Sequence, residues 1–210
     1  AGAWRPVVAS AMFVVLVYAG GVAVSLPERL AVRVVVLGGV GLQALALRVR
    51  PWSTDDFLRY VWDGRVLLSG VNPYRYPPGD PALAALRDPW LFPDGQMPAL
   101  NHPTERTIYP PIAQAFFGGA EALPGGDGRG LVLQALLAVV AILTSLMIIS
   151  ARRAQGRDPR RVIWWAWCPT VILEAGGNAH IDTLAALFVV GAVMAAARHY
   201  ADPEGAERDL

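Results

Sequence analysis

Val7–Leu26 is a run of 20 residues without a charge, long enough to cross the hydrocarbon core of a bilayer as a helix. Similar blocks follow it. Leu30–Leu47 is broken only by Arg33 near its start, where a guanidinium can snorkel to the interface. Leu131–Ser150 is a third block, also uncharged. Val162–Leu173 and Leu184–Ala197 are shorter. They flank the polar run Glu174–Asp182, so they read as two helices meeting at an elbow. The pattern predicts an all-α, polytopic transmembrane helical protein with five spans. Composition agrees: 54% of the residues are hydrophobic and only 17% charged, against about a quarter charged in soluble domains.

The formal net charge of +1 gives no field that would gather nucleic acid. Cys168 is the single cysteine, which excludes a disulfide within the chain. Every basic residue is arginine, and arginine placement predicts topology. Ala151–Arg161 carries Arg152, Arg153, Arg157, Arg160 and Arg161, followed by Trp164, Trp165 and Trp167 as an interfacial belt. That connection is predicted to be cytoplasmic. One crossing back puts Pro51–Gly130 outside, and one crossing forward puts Glu174–Asp182 outside as well. The predicted organisation is therefore two spans in 1–50, an extracytoplasmic loop in 51–130, and three spans in 131–210. The count leaves Ala1 outside, and the polar tail Asp202–Leu210 follows soon after the fifth span. Both features predict a fragment, the N-terminal part of a larger membrane protein.

The loop Pro51–Gly130 is too long for a plain connection and is repeatedly broken by prolines, from Pro77 to Pro103. Asp56–Leu68 interleaves aromatic and aliphatic residues with Arg59, Asp63 and Arg65, so it reads as a helix lying on the membrane surface. The apolar stretch after Tyr109 reads as a re-entrant or short helix.

Chemistry-bearing residues concentrate in this loop and in the elbow. Asp55 and Asp56 suit general-base catalysis, but Ser53-Thr54-Asp55-Asp56 is equally good helix-start chemistry. Arg59, Arg65 and Arg75 suit a lipid phosphate, which takes planar bidentate donation, or else salt bridges to Asp55, Asp56 or Asp63. Tyr60, Trp62, Tyr74 and Tyr76 could stack on a sugar, although interfacial aromatics are common in membrane proteins. Asn72 and its neighbouring glycines and prolines fit turns. In the elbow, Glu174, Asn178 and Asp182 share a face if the segment is helical, while Gly176 and Gly177 make an unwound elbow equally good. Ionisable groups at membrane depth point to function, so Glu174, Asn178, His180 and Asp182 form a second cluster. His180 and Asp182 are a weak metal pair and fit substrate hydroxyls or phosphate better; no cofactor is expected and a divalent metal is not indicated. Asn101, His102, Glu105 and Tyr109 form a third group. No P-loop, dinucleotide fingerprint, zinc spacing or nucleophile elbow is present.

The runs D-x-x-R-Y-x-W-D-G (Asp56–Gly64), G-x-N-P-Y-x-Y-x-P (Gly70–Pro78), N-H-P (Asn101–Pro103) and T-I-Y-P-P-x-A-Q (Thr107–Gln114) resemble the bacterial integral-membrane glycosyltransferases of the GT-C superfamily. They resemble in particular the polyprenol-phosphate-mannose-dependent α-mannosyltransferases and their uncharacterised relatives. Cys168–Asp182 is similar to their N-P-x-x-x-x-E-x-x-G-x-x-H-x-D segment, with Cys168 in place of the usual asparagine and Ile181 in place of another. The resemblance implies many transmembrane helices and a large first external loop in the bacterial cytoplasmic membrane. It implies an inverting transfer of a hexose, mannose favoured, from a polyprenyl-phosphate sugar to an envelope glycan or glycolipid acceptor. By the D-x-x-R-Y match the base is Asp56, with Asp55 second. In that chemistry Arg59 or Arg65 would supply positive charge to the departing phosphate. The competing expectation is a non-enzymatic membrane transporter or lipid-binding assembly protein, which also places polar groups at helix breaks.

Overall fold

The computed structural model describes residues 4–93, 99–125 and 130–201; the tail Asp202–Leu210 lies outside them. Those residues are helical, with no strand among them. The helices are α1 (Trp4–Ser25), α2 (Glu28–Ala46), α3 (Asp56–Leu68), α4 (Pro111–Ala122), α5 (Leu131–Ala154), α6 (Ile163–Ala166), α7 (Pro169–Ile172) and α8 (Asp182–Ala201). They divide between two compact units. One comprises residues 1–46, 138–173 and 182–210; the other comprises 47–137 and 174–181.

The first unit holds the apolar helices. Glu28–Ala46, Leu131–Ala154 and Asp182–His199 are long and apolar enough to cross a membrane, and Phe13–Ser25 of α1 is apolar over a shorter described length. Large side chains stay uncovered on these helices, among them Val14 at 63%, Leu37 at 70% and Val189 at 61% exposure. The chain reverses at Pro27, whose carbonyl accepts from the N–H groups of Leu30 and Ala31 at 2.9 Å. A small core of Ala23, Val32, Val35, Ile149, Val162 and Ala166 joins α1, α2, α5 and the segment after it. Close approach depends on missing side chains. A Cβ on Gly38 would stand 2.5 Å from the Trp167 ring.

The fourth apolar block, Val162–Leu173, is not one helix, which corrects its reading as a continuous one. It is a 3₁₀ turn (Pro159–Val162), then α6, then α7, then a π-helical turn over Leu173–Gly177. The break comes at Cys168, which is extended (φ −64°, ψ 121°). Pro169 causes it, because proline lacks an N–H and disfavours helical geometry in the residue before it. The tryptophans there hold neighbouring backbone. Trp165 Nε1 donates to the Ala141 carbonyl at 3.0 Å and Trp167 Nε1 to that of Val35 at 2.8 Å.

The second unit is built on α3 against α4. Gly64 permits the contact, since a Cβ there would meet the Phe117 carbonyl oxygen at 2.5 Å. Tyr60 stacks on Phe117 with ring centroids 4.6 Å apart, and Trp62 packs on Phe92 at 4.9 Å. Pro111 fits at the start of α4, where a missing N–H costs nothing.

Contrary to the surface-helix expectation, α3 is enclosed: Leu58 through Gly64 and Val66 are buried. Its charges turn inward and pair. Arg59 Nε donates to Asp63 Oδ1 at 2.9 Å, with both side chains at most 6% exposed. Gln114 Nε2 donates to Asp63 Oδ2 and to Thr107 Oγ1, each at 2.9 Å. Arg65 pairs with Asp88 and, at 3.5 Å, with Glu121. The mixed pattern that reads as a surface stripe is here one buried ion pair, Arg59 with Asp63, and a half-buried one, Arg65 with Asp88.

Two outcomes follow for stability. Gly64→Ala forces α3 from α4 and should cost about 1–3 kcal/mol, whereas Gly119→Ala, whose Cβ meets nothing within 4 Å, should be neutral or stabilising. Denaturant titration of both variants checks this. Burial alone would raise the Asp88 pKa, but the Leu91 N–H, the Arg65 guanidinium and the Trp90 N–H outweigh it and hold the carboxyl below the usual range. A depressed folded pKa means that the stability Asp88 supplies is complete above the unfolded value of about 3.9 and is lost as pH falls through the folded one. The difference in unfolding midpoint between wild type and Asp88→Asn should therefore shrink as pH falls below about 4.

Candidate functional site

All groups of the candidate site belong to the second unit. Asp56 opens α3, where the partial positive charge of a helix N-terminus favours a carboxylate. Its backbone N–H donates to Thr54 Oγ1 at 3.1 Å. Asp55 is the helix N-cap by position, yet its side chain makes no capping bond. The two carboxylates instead share Asn101. Asn101 Nδ2 donates to Asp56 Oδ1 at 2.6 Å and to Asp55 Oδ1 at 2.9 Å. The other Asp56 oxygen, Oδ2, lies 3.5 Å from His180 Nε2. His180 Nδ1 in turn lies 2.7 Å from Glu174 Oε2. The result is a line of acid, imidazole and acid from Glu174 to Asp56, with the Asp56 side chain one-third exposed. The His180 Nε2 atom is itself buried and has no hydrogen-bond partner among the described residues.

The backbone around this line is strained. Only two described residues other than glycine have positive φ: His102 at 47° and Ala179 at 58°. His102 directly follows Asn101, and Ala179 directly precedes His180. Both side chains that approach Asp56 are therefore aimed by a backbone state that L-residues avoid, and such strain gathers at functional sites. The elbow around Ala179 is unwound rather than helical. Its turn is closed by the His180 N–H donating to the Glu174 carbonyl at 2.7 Å. Gln134 Nε2 lies 2.8 Å from the carbonyls of Gly176 and Gly177 and 2.9 Å from that of Val49.

The other sequence-selected residues separate by role. Asn178 is 1% exposed. Its Oδ1 accepts from the Trp52 and Ser53 N–H groups at 3.2 and 3.3 Å, so it ties the elbow to the approach to α3. Tyr60 is buried beside Tyr109. Burial first, then the neighbouring Tyr109 and Asp56, push its phenol far above the usual tyrosine range. Burial likewise raises Tyr109, whose ring meets Tyr60 edge-on at 5.0 Å. Tyr74 is exposed and its hydroxyl donates to the Tyr109 carbonyl at 2.6 Å. Asn72 is exposed and caps its own turn through the Tyr74 N–H at 2.9 Å.

Six of the expected site residues take other places. Trp62, at 1% exposure, is a core residue and offers no face to a sugar. Asp63 is spent within the Arg59 and Gln114 network. Arg59 also donates to the carbonyls of His102 at 3.3 Å and Glu105 at 2.9 Å, so its guanidinium shapes the 101–105 turn rather than facing a phosphate. Arg65 is likewise engaged by Asp88, Glu121 and the Leu86 carbonyl. His102 contributes its backbone to this network, accepting from Arg59 and from the Glu105 N–H. Asp182 is exposed at the start of α8 and belongs to the other unit. Among the described residues, no three His, Cys, Asp or Glu side chains converge as a metal site.

Asn101 is the residue whose importance the sequence understated. Only its place in N-H-P hinted at a role. Gln114 was visible only as the end of the T-I-Y-P-P-x-A-Q run, and Gln134 carried no signal, since one uncharged polar residue in an apolar helix fits many environments. No protein-family model, curated protein or solved structure matches this chain.

Removing the Asn178 amide leaves two backbone N–H groups without their acceptor. Asn178→Ala should lose about 1–3 kcal/mol of stability, read as a lowered unfolding midpoint. Asn72→Ala, on an exposed turn, should lose about 1 kcal/mol or less.

Proposed function

We propose that this chain carries the catalytic loop of a membrane glycosyltransferase that uses a polyprenyl-phosphate sugar. The reaction is an inverting transfer of a hexose, with mannose favoured, to a glycan or glycolipid acceptor at the outer face of the bacterial cytoplasmic membrane. The apolar helices with uncovered valines and leucines support the membrane setting, because exposed apolar surface of that extent suits lipid. The GT-C-like motifs support the donor class, and the absence of any nucleotide motif in the sequence agrees with a lipid-linked donor.

The observation that carries the reading is the Asp56 carboxylate: partly open, set at a helix N-terminus and approached by Asn101 and His180. A general base needs an oxygen within hydrogen-bond reach of the acceptor and a fixed orientation. Asn101 orients Asp56 through Oδ1. The acceptor hydroxyl gives its proton to Asp56 as its oxygen bonds to the sugar's anomeric carbon. The anomeric carbon–oxygen bond breaks on the opposite face, and its electron pair leaves on the polyprenyl phosphate. His180, 2.7 Å from Glu174 and 3.5 Å from Asp56, is the group that takes the proton from Asp56 after transfer. With Arg59 and Arg65 engaged in the scaffold, the positive charge that meets the leaving phosphate is assigned to neither.

In liposomes loaded with a panel of polyprenyl-phosphate sugars, the full-length protein should turn over one donor. Asp56→Asn should lower kcat/KM about 10²–10⁴-fold while leaving the unfolding midpoint near wild type. Turnover by the variant at the wild-type rate removes Asp56 as base. No turnover of any donor by folded protein moves the weight to a transporter or lipid-binding protein. Sidedness is checked separately. In a Cys168→Ser background, Asn72→Cys should react with a membrane-impermeant thiol reagent added outside intact cells; labelling only after permeabilisation contradicts an external loop.

A further inference from the structure

The first unit contains a groove of about 610 Å³ that the proposed reaction does not use. That volume lies in the usual range of ligand sites, about 300–1,000 Å³. One wall is α1, with Leu16, Val17 and Gly21; the other is the broken segment, with Trp164, Trp167 and Cys168. The groove exists because Pro169 ends α6. A continuous helix over Val162–Leu173 would run past α1, whereas the extended residue Cys168 redirects the chain. The space over Gly21 is open, since a Cβ built there meets nothing within 4 Å.

The lining is apolar along its length and cationic where it meets the 3₁₀ turn. Arg160 is tied down: it pairs with Asp158 at 3.0 Å and donates to the carbonyls of Val24 and Leu26. Asp158 is thereby neutralised, and the hydrogen bonds from Arg160 hold its carboxyl below the usual range. Arg161 lines the same groove, is exposed and makes no close ion pair among the described residues; its charge reaches Asp158 only as a minor contribution beside that of Arg160. Arg152 lies nearby, donating to the Asp158 carbonyl at 2.6 Å. An apolar channel ending at an unpaired guanidinium matches a molecule with a long hydrocarbon chain and a phosphate head. Guanidinium donates to phosphate in a planar, bidentate fashion, and basic pockets beside membrane helices take anionic lipid headgroups.

We infer that this groove is a binding site for an anionic phospholipid, one acyl chain lying along α1 and the phosphate on Arg161. The site is separate from Asp56 and rests only on the chain being embedded in a membrane. Its selectivity comes from Arg161 and its chain capacity from the space over Gly21.

The test uses the full-length protein in mild detergent, with phosphatidylglycerol and phosphatidylcholine as probes and native mass spectrometry as the readout. Wild type should retain phosphatidylglycerol about fivefold better than phosphatidylcholine, the increment expected of one arginine facing a headgroup of net negative charge, since choline cancels the charge of the same phosphate in phosphatidylcholine. Arg161→Gln should reduce that preference to near unity. Gly21→Phe should fill the groove and lose retention of both lipids, with an unfolding midpoint close to wild type. Cys168, the only cysteine, gives an independent reading: phosphatidylglycerol should slow its alkylation in wild type and leave it unchanged in Gly21→Phe. Equal retention of both lipids by wild type overturns the proposal, as does undiminished retention by Gly21→Phe. A Cys168 that stays unreactive with and without lipid also overturns it, since polypeptide then fills the groove.

Discussion

The pairing of Arg59 with Asp63 inside the second unit is the interaction on which the candidate site rests. A buried charge without its partner is costly, and breaking such a pair typically costs about 3–5 kcal/mol. Here the pair stands one turn apart on α3, so the helix itself sets its geometry. The rest of the guanidinium reaches to the carbonyls of His102 and Glu105. The turn that contains Asn101 is thus bent around a charge that has to be satisfied. Gln114 completes Asp63 from α4 and binds Thr107 from the same side. One ion pair therefore sets the spacing of α3, α4 and the loop between them, and Asn101 reaches the Asp56 carboxylate as a consequence.

The elbow obeys a different constraint. Pro169 breaks the helix, and the π-helical turn after it releases backbone carbonyls that need donors. Gln134 supplies them from α5, and Asn178 ties the other side to Trp52 and Ser53. Ala179 takes up the remaining strain in a left-handed conformation. These bonds hold His180 against Glu174 and near Asp56 without a continuous helix beneath it. A rigid polar frame around a partly open carboxylate is what a proton-transfer site requires.

Much of this was legible before any coordinates. Asp56–Leu68 is a helix with the bounds its pattern predicts, and α2 and α5 nearly coincide with their apolar blocks. Asp56, His180 and Glu174 were singled out as ionisable groups in polar breaks between apolar runs, and the structure brings them together. The misreadings have two causes: Pro169 breaks a block whose apolar run is continuous, and the charges of α3 have partners that periodicity does not show. Aromatic and charged residues alternating on α3 fit a surface helix as well as a buried one, because periodicity does not say whether a charge has a partner. The partners of Arg59, Arg65 and Asp63 lie between four and 56 residues away, and only folding brings the distant ones near.

The sequence by itself determined which segments are apolar and where α2, α3 and α5 lie, because span length and charge-free runs act locally. Only the tertiary structure decided which polar groups are scaffold and which remain open to a substrate. That division depends on burial and on long-range pairing. Arg59 and Asp63 neutralise each other in the interior, whereas Asp56, seven residues before Asp63 on the same helix, keeps one-third of its side chain in the open.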